Sequence, residues 1–174
     1  MTVAALSVSA CAPPSPAKPP RPSPSSTALF ATDEEALAAA EEAYREYLSV
    51  TDAILSDGGS DPERLLVVAS QSVYEKQLPG YRHVAENGWR GTGTTLVDSI
   101  SIQDFQPMSK TSQIVIHACV DVSNVDVVDS SGRSVVSPSR PERTPFEVAF
   151  TAATSDRSLV LSGETPWSGN DFCV

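Results

Sequence analysis

At Thr92 the repeat of apolar residues along the chain changes from a helical spacing to a strand spacing, and this switch constrains the fold more than any other feature. Before it, Ala36, Ala40, Ala43, Tyr44, Tyr47, Leu48, Thr51, Ile54 and Leu55 recur three and four residues apart. That spacing gathers them on one stripe of a helix and leaves Glu34, Glu35, Glu41, Glu42, Arg45 and Glu46 mainly off it. Thr32-Asp33-Glu34-Glu35 is a capping box, in which the hydroxyl accepts from the N3 amide and the glutamate reaches back. Gly58-Gly59 offers the left-handed residue that closes a helix. One amphipathic helix of about six or seven turns is predicted between them. Asp61-Pro62-Glu63 predicts a second start, with Asp61 as N-cap and Pro62 at N1. Leu65, Leu66, Val68, Ala69 and Val73 form its apolar side, and it is expected to fade by Pro79-Gly80, with a short third helical turn over Tyr81 to Trp89.

After Thr92 four segments are rich in Val, Ile, Thr and Phe: Thr94 to Phe105, Gln113 to Val128, Ser134 to Ala152 and Ser158 to Trp167. Turn residues separate them, notably Pro107-Met108-Ser109-Lys110 and Asp129-Ser130-Ser131-Gly132, the second of which reads as a hairpin. Ile114, Ile116, Ala118, Val120 and Val122 alternate with Val115, His117, Cys119 and Asp121, and Phe146, Val148 and Phe150 with Glu147, Ala149 and Thr151. Helices first and strands second argue for an α+β domain, N-terminal helices packed on one face of a curved, mostly antiparallel sheet.

The first thirty residues have another character. Residues 12 to 31 hold seven of the fourteen prolines, with Ser, Ala, Lys18 and Arg21 between them and no acid. Proline favours an extended path rising about 3.1 Å per residue, and too little apolar surface is present to offset ordering, so this segment is expected to be a disordered, semi-rigid tether. Ahead of it, Val8-Ser9-Ala10-Cys11 ends a short apolar run and resembles the lipobox of bacterial lipoproteins. The resemblance implies a signal peptide remnant over residues 1 to 11, with the Cys11 thiol accepting a lipid that carries acyl chains such as palmitate. A secretory signal begins with a basic segment; Met1 to Ser7 has none, so one is expected upstream. No stretch approaches the ~18 apolar residues of a membrane-spanning helix. The protein is thus expected outside the cytoplasm, on the outer face of a bacterial membrane, held by its lipid alone.

About 140 residues remain, 32 to 174, the size of a single domain. Ten Lys and Arg against 22 Asp and Glu leave it at −12. That balance repels phosphate backbones and excludes nucleic acid as a partner. The acids are scattered, which suits solubility. Cys119 and Cys173 form a disulfide pair if the domain is exported, closing a loop of 54 residues; a cytosolic chain would instead hold two buried thiols.

The element order, the strand His117-Ala118-Cys119-Val120-Asp121-Val122-Ser123 and the tail Thr165-Pro166-Trp167-Ser168-Gly169-Asn170-Asp171-Phe172-Cys173 resemble the nuclear transport factor two-like superfamily, also called cystatin-like, and in particular its predicted Gram-positive lipoproteins. The resemblance covers residues 32 to 173. It implies a cone-shaped sheet with helices in its concave face, and a homodimer through the convex face as one form such domains take. It also brings in the SnoaL-like cyclases and ketosteroid isomerases, although no match to their tyrosine and aspartate arrangement stands at pocket-facing positions.

Few residues assemble chemistry. His117, Cys119 and Asp121 share one strand face, but neighbours there lie about 6.5 to 7 Å apart, awkward for one metal ion, so an outward polar face carrying a disulfide is expected and no metal. His83, among Tyr81, Arg82 and Glu86, reads as a solvated helical histidine; paired with Tyr44 or Tyr47 in a hidden pocket it would be an acid or base. Gly88-Trp89-Arg90-Gly91-Thr92-Gly93 lacks the strand-turn-helix setting of a phosphate loop, and its glycines are expected to turn the chain into the sheet. No Gly-x-Ser-x-Gly elbow is present. Trp89, Trp167, Tyr44 and Tyr47 are the candidate contacts for a ligand or partner, with core or rim packing as the plainer role of the tryptophans. The leading expectation is a non-enzymatic surface lipoprotein, without cofactor, that binds a protein or small molecule. An enzyme of the superfamily and a phage or mobile-element surface lipoprotein are the alternatives.

Overall fold

The computed structural model describes residues 30–106, 113–152 and 158–173. The tether, Cys11 and the turn Pro107-Met108-Ser109-Lys110 lie outside the described residues. Helix α1 spans Asp33–Ser56, capped by Thr32, whose hydroxyl accepts from the Glu35 amide at 3.2 Å. Glu35 reaches back past the cap and accepts from the Ala31 amide at 2.9 Å, where a capping box would take the Thr32 amide. Ala36, Ala40, Tyr44, Tyr47, Leu48 and Ile54 form its buried stripe.

The second helical segment departs from expectation. Asp61 sits in the left-handed region, at φ 48°, and its side chain caps nothing. Pro62–Val67 then form only a 3-10 helix. The full helix starts later: Ser70 is its N-cap, and α2 runs Gln71–Asn87 straight through Pro79 to a left-handed Gly88. Proline removes one amide donor and crowds the preceding turn, yet Pro79 and Gly80 lie away from the core and the helix continues, so the separate turn expected over Tyr81 to Trp89 is the second half of α2. Between the two helical pieces, Leu161 donates to the Val68 carbonyl at 3.0 Å and Ser70 to the Leu161 carbonyl at 2.8 Å. These bonds occupy backbone groups of an edge strand that would otherwise stand open.

The strands are β1 (Arg90–Thr92), β2 (Leu96–Gln106), β3 (Gln113–Asp121), β4 (Asp126–Val128), β5 (Arg143–Ala152) and β6 (Leu159–Pro166). Four form an antiparallel sheet in the order β2-β3-β5-β6; β1 and β4 pair as a separate ribbon. The single strand expected from Gln113 to Val128 is therefore two, broken at Val122–Val125, and the one expected from Ser134 is strand only from Arg143. The hairpin turn forms as expected: Gly132 donates to the Asp129 carbonyl at 2.9 Å, and Asp129 Oδ1 takes the amides of Ser131 and Arg133.

The helices cover one face of the sheet, where Ile114, Ile116, Ala118, Val148, Phe150 and Leu161 are wholly buried in the core they share with α1. This is an α+β fold, helices packed on a mostly antiparallel sheet. Register shifts between Asp98 and Ser101, Ile102 and Asp104, and Ala149 and Phe150 bend the strands around the helices, since a bulge adds local twist and curvature. Gly91 marks a close approach of the β1 backbone to α1: a Cβ built there would stand 2.7 Å from the Leu55 Cβ.

The outer face carries the tail. Cys119 and Cys173 form a disulfide with Cα atoms 5.3 Å apart. The Phe172 ring stacks on His117 at 5.2 Å, Trp167 lies against the same imidazole at 4.2 Å, and Arg143 Nε donates to the Cys173 carbonyl at 3.2 Å. Arg143 also pairs with Asp98 and Asp121, at 2.8 and 3.0 Å.

Candidate functional site

A pocket of about 350 Å³ opens between α1, α2 and the concave face of the sheet. Its walls are largely apolar, from Leu48 and Leu55 on α1, Val84 on α2, and Val120 and Phe146 on β3 and β5. The polar groups are few: Tyr47, Thr51, Gln77, Tyr81 and Glu164. Pockets of this size and character, apolar with a few convergent polar groups, are the usual form of small-molecule sites.

Glu164 faces the pocket because of a one-residue insertion. Phe150 pairs with Leu161 but Ala149 pairs with Gly163, so Ser162 is extra and the pleat of β6 changes phase there. Opposite Phe146, Val148 and Phe150, which face the helices, stand Pro166, Glu164 and Leu161. Strict alternation from Leu161 would have turned Glu164 outward; the bulge turns it in.

Helix α1 supplies its partners. Tyr44 donates to Glu164 Oε1 at 2.6 Å and Tyr47 to Oε2 at 3.2 Å, from rings stacked nearly parallel. Gln77 on α2 donates to the Tyr47 hydroxyl at 3.2 Å, completing a chain from amide through phenol to carboxylate. Phe150 meets the Tyr44 ring edge-on. Tyr81 is buried at the pocket wall, and its hydroxyl has no hydrogen-bond partner among the described residues.

Burial raises the Glu164 pKa above its ordinary 4.5, and the Tyr44 and Tyr47 hydrogen bonds pull it part of the way back. Burial, then the Glu164 charge, raises Tyr44, Tyr47 and Tyr81 well above the usual phenol range. All three tyrosines therefore stay neutral at ordinary pH, and in the pocket only the carboxyl titrates.

Of the residues singled out from the sequence, Tyr44 and Tyr47 meet at this site. His83 does not: it is exposed on α2, edge-on to Trp89 at 5.0 Å. Trp89 packs there at the end of the helix, and Trp167 lies on the far side of the sheet over His117. His117, Cys119 and Asp121 share that outer face; Cys119 is spent in the disulfide and Asp121 in the Arg143 pair. Among the described residues no group of three His, Cys, Asp or Glu side chains is placed to hold a metal ion. Glu164 and Gln77 had no signal in the pattern.

No protein-family model matches the chain, and no curated protein matches it. Among solved structures it is similar to the intermembrane-space region of the chloroplast protein ARC6, with a TM-score of 0.52 and 7% identity over 75% of this chain and 95% of that one. That likeness is one of fold. A de novo β-sheet design overlaps 76% of this chain and 93% of its own at 13% identity, with a TM-score of 0.32, too low to argue from.

Proposed function

We propose that this protein is a lipid-anchored, extracytoplasmic binding protein whose pocket takes a small, mostly apolar molecule carrying one polar group. The observation that carries the reading is the placement of Glu164, a lone carboxylate held by Tyr44 and Tyr47 at the wall of an otherwise apolar pocket. The address rests on the lipobox-like Val8-Ser9-Ala10-Cys11, with the proline tether behind it. The disulfide supports an oxidising compartment. Among the described residues no helix is long and apolar enough to cross a membrane. The domain is taken to be of the nuclear transport factor two-like type, which its helix-lined, bulge-curved sheet supports. The binding role is argued from the pocket itself, because fold alone transfers no activity.

The tests are two. Native protein should partition into detergent and Cys11→Ala should not; wild type wholly in the aqueous phase rejects the anchor. A library of soluble, mostly apolar small molecules screened by NMR against the full chain should move the signals of Tyr47, Tyr81 and Phe146; a library that leaves them in place rejects the pocket.

A second reading has an observation of its own. A carboxyl with a raised pKa in one pocket with the unbonded Tyr81 hydroxyl is also what a proton-transfer enzyme requires. In that case Glu164 is the base and Tyr81 a neutral hydrogen-bond donor to the reacting group, with His83 outside the site. Turnover of a bound molecule, lost in Glu164→Gln, would favour it over binding alone.

A further inference from the structure

We infer that the occupant of this pocket is an organic cation, an amine or quaternary ammonium compound, whose charge is matched by the Glu164 carboxylate and whose carbon atoms lie against Tyr47, Tyr81 and Phe146. This assignment deepens the binding reading and rests on it.

The geometry describes an anion with no counter-charge. Both tyrosine hydroxyls donate to Glu164, one to each oxygen, which is the arrangement an ionised carboxylate takes. No Lys, Arg or His among the described residues pairs with it, and no cation contributes to its titration. A carboxylate taken out of water costs free energy that hydrogen bonds from neutral donors offset only in part. On the outer face of the sheet the chain does supply the cation, where Arg143 bridges Asp98 and Asp121. At Glu164 the place a cation would fill is the pocket.

The remaining wall suits such a ligand. Tyr47, Tyr81 and Phe146 present aromatic rings to the same space as the carboxylate. Aromatic faces attract ammonium groups, and a carboxylate added to them strengthens the attraction. The domain at −12 draws cations toward itself from solution. An anionic ligand would face an unpaired carboxylate, and a neutral one would leave that charge unmatched.

The test is an NMR titration of the full chain with three molecules of one shape: choline, its uncharged carbon isostere 3,3-dimethylbutan-1-ol, and the anion 3,3-dimethylbutanoate. Choline is expected to bind about tenfold more tightly than the alcohol, with the anion weakest. In Glu164→Gln the advantage of choline over the alcohol should vanish. As a check independent of that variant folding, the advantage in wild type should shrink as acid protonates Glu164. Tyr44, Tyr47, Gln77 and Tyr81 are the polar groups facing it and none of them titrates in that range; Asp52, the other acid that acts on Tyr81, is engaged by Thr95. An alcohol that binds as well as choline overturns the cation assignment and leaves the pocket reading standing. If all three leave the pocket signals unmoved, both fall.

Discussion

The Tyr44 hydroxyl donates to Glu164 Oε1 at 2.6 Å, joining residues 120 apart in sequence across the interface of α1 with β6. Tyr44 is wholly buried, so this bond fixes the helix to the sheet at the same point where the pocket acquires its charge. Structure and site share one contact.

Replacing Tyr44 by Phe keeps the ring against Phe150 and removes only the donor. A hydrogen bond to a charged group contributes about 1.5 to 3 kcal/mol. Tyr44→Phe should lower the unfolding free energy by that amount in urea titrations with an unchanged slope. It should also raise the Glu164 pKa further, because Tyr44 is one of the two bonds that lower it.

Because the folded state holds the Glu164 proton more tightly than the unfolded chain does, stability should fall as pH rises from 4.5 through the folded value. The loss is complete above that value. Asp98 and Asp121 act oppositely: hydrogen bonds from Arg143 and Ser123 lower them, and their contribution is lost as pH falls. Subtracting the stability profile of Glu164→Gln from that of wild type isolates the first effect. The difference should move against wild type with rising pH; a flat difference contradicts the burial of the carboxyl.

The Cys119–Cys173 bridge closes a separation of 54 residues, a constraint on the unfolded chain of about 4 kcal/mol by loop-closure arithmetic. Reduction, or Cys173→Ser, should lower stability by an amount of that order. Trp167 and Phe172 lose their anchor beside His117, so tryptophan fluorescence should report release of the tail.

Much of this fold can be read from the residues, and the exceptions have physical causes. Thr32 and Glu35 announce α1, and the alternation from Ile114 to Val120 names the buried face of β3, because each is a local pattern backed by burial. Asp61-Pro62 carries the signs of a helix start, yet Leu161 takes the backbone just beyond it and limits that start to a 3-10 helix. Pro79 has the look of a stop and is tolerated on an outward turn of α2. At the site, Tyr44 and Tyr47 stand on the apolar stripe of α1 and can be found. Glu164 cannot, because the Ser162 bulge that turns it inward exists only through pairing with β5.

A pH titration of the Glu164 side-chain carboxyl, by carbon-detected NMR in the full chain, probes the buried charge on which the pocket depends. A carboxyl buried between α1 and β6 without a cation should titrate above 4.5, and higher again in Tyr44→Phe. A midpoint at or below 4.5, unmoved by that substitution, would place the group in water and contradict the site.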